Sequence, residues 1–207
     1  NHGADSGTRI VGVGPGLKIM PLKGLDATGC GEVASLLNCL KYAVDNGAKV
    51  ISNSWGIDKR KTDFDDILAY AADKGVVAVF AAGNSALDVI YSSPAGNPDV
   101  ITVAASNYQD RIASFSNYGV GVDLAAPGGD CASMGGVDDY VLSALAATHN
   151  AHFTPALGSY YTRARGTSMA CPHVAAAAGL ILARHPDYSI DEVRFALRNS
   201  ADPLTGA

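Results

Sequence analysis

The chain has 207 residues, of which 48% are apolar and 17% charged. That length and balance fit one domain with a sizeable core and argue against a disordered chain. A net charge of −5 supplies no basic field for nucleic acid, and no uninterrupted apolar run is long enough to span a bilayer.

Residues 1–16 are rich in turn formers and read as loop. The stretch Leu17–Lys23 alternates enough to predict a strand, with Pro21 as an irregularity. Val33, Leu36, Leu37, Leu40, Ala43 and Val44 recur at helical spacing, and Gly47 supplies the stop. A short buried strand at Val50-Ile51 then runs into Ser52-Asn53-Ser54-Trp55-Gly56. A second helix is predicted from about Thr62, with Phe64, Ile67, Leu68 and Ala71 on one face and Gly75 at its end.

Val76–Phe80 is a continuous apolar run of the kind buried on both faces of a parallel sheet. Further strands are expected at Val100–Ala104 and Val122–Ala125, and part of a hairpin at Asp138–Leu145. A long helix of small and apolar residues opens near Thr167 and Ser168. A last helix is opened by the capping box Ser189-Ile190-Asp191-Glu192 and runs to about Asn199. Strand and helix in alternation predict an α/β fold, a three-layer, mostly parallel sheet with helices on both faces. Ligands of such sheets bind beyond the C-terminal strand ends, which places Ser52–Gly56 and Ala81–Ser85 together at the functional edge. No internal repeat or linker divides residues 1–207, which read as a single, partial domain.

Cys30, Cys39, Cys131 and Cys171 allow three full pairings. A first helix that already includes Cys30 puts it about 13 Å along the axis from Cys39. A bridge needs Cα atoms within about 7 Å, which argues against that pairing. Cys171, in a helix of small residues, reads as a buried free thiol. No Cys-x-x-Cys pair is present and the histidines are scattered, so no metal ligand is assigned.

Ser168 stands at the start of its helix, where unpaired N–H groups and a partial positive charge can stabilise a developing oxyanion. Gly166 gives the backbone room to turn. Pro172 lacks an N–H, so the Ser168 carbonyl loses its usual helical partner. The competing reading is a plain helix cap. Asn84, after the apolar strand and Ala81-Ala82-Gly83, offers a side-chain amide donor, although Gly83-Asn84 also suits an ordinary turn.

The string GTSMACPHVAAAAGLIL, from Gly166 to Leu182, resembles the nucleophile segment of the subtilisin-like serine proteases. It departs from that family's usual form at Ala176, where Gly is common. Three further strings resemble the family: Ala81-Ala82-Gly83-Asn84, Ser54-Trp55-Gly56 and Val11-Gly12-Val13-Gly14-Pro15. The resemblance implies a serine endopeptidase with Ser168 as nucleophile and Asn84 as oxyanion donor, beside the Ser168 backbone N–H. It implies that a polypeptide substrate pairs with Ser54, Trp55 and Gly56, for which the bland reading is an edge turn with an exposed Trp. Ala81, Ala82 and Gly83 then wall the pocket for the residue before the cleaved bond, and Ser92 lies near its floor. Ala113-Ser114-Phe115-Ser116-Asn117 and Ala126-Pro127-Gly128 match family strings and read as structural.

The family's catalytic histidine and aspartate lie upstream of the Val-Gly-Val stretch, so both are expected before Asn1. His2 is a loop residue. His173 lies five residues past Ser168, a rotation of about 140° and a rise of about 7.5 Å, and reads as a packed, hydrogen-bonded side chain. His149 and His152 fall in an insertion-like loop, and His185 ends a helix. Asp5, Asp26, Asp58 and Asp63 read as solvated or capping residues. The chain alone is therefore expected to be inactive, with its upstream segment or an inhibitory propeptide as partners. Calcium is a habit of the family, and Asp5-Ser6-Gly7-Thr8 aligns with a calcium loop. Secretion follows from the family and is permitted by the cysteines. Two other readings stand beside the protease: a non-catalytic peptide-binding module that keeps the fold, and an α/β-hydrolase, for which too little chain follows the serine.

Overall fold

The β-branched runs after each Gly-terminated helix pair side by side. In the computed structural model, which describes residues 10–130, 139–146 and 160–205, β1 (Val50–Asn53), β2 (Val77–Ala81), β3 (Val100–Ser106) and β4 (Leu124–Pro127) form a parallel sheet in that order. Val50 pairs with Val77, Ala78 with Val100 and Val103 with Leu124. Every residue of β2 and of β3 is buried, as strands covered on both faces must be.

Side-chain alternation along β2 divides the core into two layers. Ala78 and Phe80 face α1 (Val33–Asp45) and α2 (Asp65–Asp73), packing with Leu36, Leu40, Phe64 and Leu68. Val77, Val79 and Ala81 face α3 (Thr167–Arg184) and α4 (Ile190–Asn199), packing with Cys171, Val174, Ala178 and Val193. Helix, sheet, helix is the three-layer α/β architecture. β5 (Val141–Ala144) and β6 (Tyr161–Ala164) form a separate antiparallel pair.

The structure departs from the expectations at five points, the first being that β4 is Leu124–Pro127 rather than Val122–Ala125. Leu17–Lys23 is not a strand; it makes no ladder, Pro21 has no N–H to give one, and Leu17 instead packs over Gly14 and Gly179. α2 starts at Asp65 rather than about Thr62, because Phe64 turns into the core ahead of it. α1 starts at Val33, so Cys30 precedes it. The Cys30–Cys39 bridge is still not made, and Cys30, Cys39 and Cys171 are all free thiols. A short 3-10 turn at Val89–Tyr91, capped by Asp88, has no periodic signal in the sequence. His2, Asp5–Thr8, Cys131, Asp138, His149 and His152 lie outside the described residues.

Candidate active site

Because the sheet is parallel, β1 and β2 deliver their following loops to one edge, and α3 starts there. Residues 54–56, 81–84, Ser92 and Ser168 line a single cavity of about 260 Å³. All nine residues singled out from the sequence are therefore brought together. Gly83 has φ +109°, and any Cβ on it would run into Asn117 Nδ2.

The first turn of α3 is held by side chains from both loops. The Thr167 N–H and hydroxyl donate to Asn84 Oδ1 at 2.8 and 2.9 Å, while the Thr167 hydroxyl accepts from the Gly83 N–H at 3.1 Å. Since the Thr167 N–H can only donate, the amide oxygen of Asn84 must face it. Asn84 Nδ2 is thereby turned outward, and neither it nor the Ser168 N–H has a partner among the described residues. Gly166, at φ +141°, leaves both donors accessible: a Cβ there would sit 3.5 Å from Asn84 Nδ2 and 3.7 Å from Ser168 N. Gly166 is fixed in turn by its N–H donating to the Gly128 carbonyl at 2.9 Å, at the end of β4.

Pro172 frees the Ser168 carbonyl, and Ser54 takes it up. Ser54 Oγ donates to Ser168 O at 2.8 Å, and Ser168 Oγ donates to Ser54 O at 3.3 Å. Ser168 is half-buried, with its hydroxyl at the cavity rather than in the core. Trp55 is also half-buried, against Phe64 and edge-on to Phe80 at 5.1 Å. Ser92 is buried, and its hydroxyl accepts from Asn117 Nδ2 at 3.1 Å.

Three residues of the site escaped the sequence reading. Thr167 has no solvent exposure and organises Asn84. Asn117, equally buried, holds Ala82, Ser85, Leu87 and Ser92 with four hydrogen bonds. Its matching string is the signal that could have marked it. Asp58 lines the cavity beside Ser85.

Beneath the serine, Cys171 is buried, with its sulfur 3.5 Å from Asn53 O and 3.6 Å from Val79 O. Burial pushes its thiol up to about 11. Of the histidines described, His173 has Nδ1 at 2.8 Å from the Met169 carbonyl and His185 stacks on Tyr188. Neither lines the 260 Å³ cavity. Among the described residues, no group of three or more His, Cys, Asp or Glu could hold a metal ion, and no helix is long and apolar enough to cross a membrane.

A second cavity, about 1560 Å³, lies between residues 10–25 and the outer edge of β1, α1 and α3, and reaches Ser168, Pro172 and His173.

A parallel sheet between helix layers, with a serine hydroxyl and two amide donors at its C-terminal edge, defines a hydrolase-type α/β fold. The profile of the subtilase family (peptidase S8) matches residues 2–207, and the chain belongs to that family. It is 35% identical over 202 residues to the thermophilic serine proteinase of Bacillus sp. (strain AK1), covering 98% of this chain and 44% of that protein. It is likewise 35% identical to thermitase of Thermoactinomyces vulgaris, over 98% of this chain and 64% of that protein. Among solved structures, a lanthipeptide protease superposes with a TM-score of 0.82 at 26% identity, over 93% of this chain and 65% of its own. The chain thus spans from under half to about two thirds of the length of these relatives. Family membership displaces the α/β-hydrolase reading.

Proposed function

We propose that residues 1–207 are the part of a serine endopeptidase that carries the nucleophile and the oxyanion site. Ser168 Oγ attacks the carbonyl carbon of a peptide bond, and the developing oxyanion is received by the Ser168 N–H and Asn84 Nδ2. The observation that carries this reading is the pair of unengaged N–H donors flanking Gly166 beside a cavity-facing hydroxyl. Their fixed orientation lets charge be stabilised without reorganisation as it forms. The substrate backbone lies along Ser54, Trp55 and Gly56. The side chain before the cleaved bond enters between Ala81, Ala82 and Gly83, with Ser92 at the floor.

A proton acceptor for Ser168 and its orienting carboxylate come from polypeptide upstream of Asn1, in keeping with the share of the relatives that the chain spans. The cavity along β1 supports that reading, since it offers an edge strand and a path to Ser168. Alone, the chain has at most the residual rate that binding and oxyanion donors give. The enzyme is exported or enters the secretory pathway, in keeping with relatives such as the cell wall-associated protease of Bacillus subtilis.

A fluorophosphonate tests this directly. The chain extended upstream should form an adduct on Ser168, absent in Ser168→Ala, whereas residues 1–207 alone should label little. A folded extended chain that does not label would leave a peptide-binding module instead. In that extended enzyme, Asn84→Ala should lower kcat by roughly 10²–10³, a magnitude taken over from subtilisin, with little change in KM. A raised KM with unchanged kcat would remove Asn84 from the oxyanion site.

A further inference from the structure

Among the described residues that line the 260 Å³ cavity, Asp58 alone carries an ionisable side chain. The backbone before it is fixed: the Ile57 N–H donates to Ser93 O at 2.8 Å, and the Ser93 N–H returns a bond to Ile57 O at 2.9 Å. Its carboxylate turns in against the opposite wall. Oδ2 accepts from the Ser85 hydroxyl, and Oδ1 lies 3.4 Å from where a Cβ on Gly83 would stand.

No cation of the described residues neutralises it. Arg60 is engaged by Asp65 at 3.3 Å and by the Lys61 carbonyl at 3.1 Å. Lys59 and Lys61 make no ion pair among the described residues. A negative charge therefore stands in a cavity whose other lining residues are uncharged, with Ala81, Ala82, Ala95 and Trp55 among its walls.

We infer that Asp58 sets a preference for lysine or arginine in the substrate residue preceding the cleaved bond; this rests on the protease reading of Ser168. A long aliphatic stem suits the alanine and Trp55 walls, while the cationic head reaches the carboxylate. A glutamate in the same position meets like charge. One such pair near solvent supports a discrimination of roughly two- to fivefold.

The test uses the full-length protein and peptides that differ only in that residue: lysine, arginine, norleucine and glutamate. The quantity read is the ratio of kcat/KM values within each protein, so a general loss of activity cancels. The native enzyme should favour lysine over norleucine about two- to fivefold, and Asp58→Asn, which keeps an acceptor for Ser85, should bring the ratio near one. As a second measurement on the native protein alone, 1 M salt should narrow the preference, because screening weakens the pair. Equal ratios in native and Asp58→Asn enzymes, or a native preference for norleucine, would overturn the role of Asp58 while cleavage itself keeps the protease reading intact. No cleavage of any peptide and no fluorophosphonate adduct would overturn both.

Discussion

Thr167 shows how much of the chemistry depends on a side chain that never meets solvent. Its hydroxyl takes a proton donor from Gly83 and passes its own to Asn84 Oδ1, so the loop after β2 and the start of α3 are joined through one oxygen. Replacing it by valine leaves the half-buried Gly83 N–H without its acceptor and loosens Asn84. In the extended enzyme, Thr167→Val should lower kcat about tenfold with a smaller change in KM, and Thr167→Ser should restore most of the rate. Equal kcat in the valine variant would show that Asn84 is held by the Thr167 N–H alone. That Asn84, Ser168 and the pocket residues converge on one cavity was legible from strings that resemble the family's. Thr167 and Asn117 were not, since burial and partners 83 and 35 residues away are invisible to local pattern.

At the scale of elements, the helices were read more securely than the strand ends. α1, α2 and α4 present apolar residues at helical spacing, and Ser189 with Glu192 forms the capping box that its spacing announces. Ser189→Ala should lower stability by about 1 kcal/mol, read as a shift of the urea midpoint. The same cap is sensitive to acid. Hydrogen bonding from the Ser189 backbone and hydroxyl holds the Glu192 carboxyl below its ordinary 4.5, so its contribution is present above that value and lost as pH falls below it. The midpoint difference between native and Ser189→Ala chains should therefore shrink in acid; a constant difference would uncouple Glu192 from the cap. Leu17–Lys23 misled because its alternation is real but it pairs with no strand. A period of two says which face a strand would bury, not which partner it finds.

At the scale of the whole molecule, the alternation of β2 sends its side chains into two separate cores, and the α3 side places a thiol directly under the first turn of that helix. Cys171 keeps its proton to about 11 in the folded chain, whereas an ordinary thiol loses it near 9.0. Between those values the unfolded chain binds fewer protons, so stability falls as pH rises, by about 1.4 kcal/mol per unit. It is fully present below about 9. Urea unfolding of native and Cys171→Ala chains across this window should show the alkaline loss in the native chain beyond that of the variant. Parallel curves would mean that the thiol titrates as it does when unfolded.

The reciprocal bonds between Ser54 and Ser168 join residues 114 positions apart, and those of Asn84 reach across 83. No short stretch of this polypeptide can thus assemble the candidate site by itself. A chain still emerging from the ribosome holds β1 and the Ser54 loop long before α3, so these cross-chain bonds can close only once both have been made.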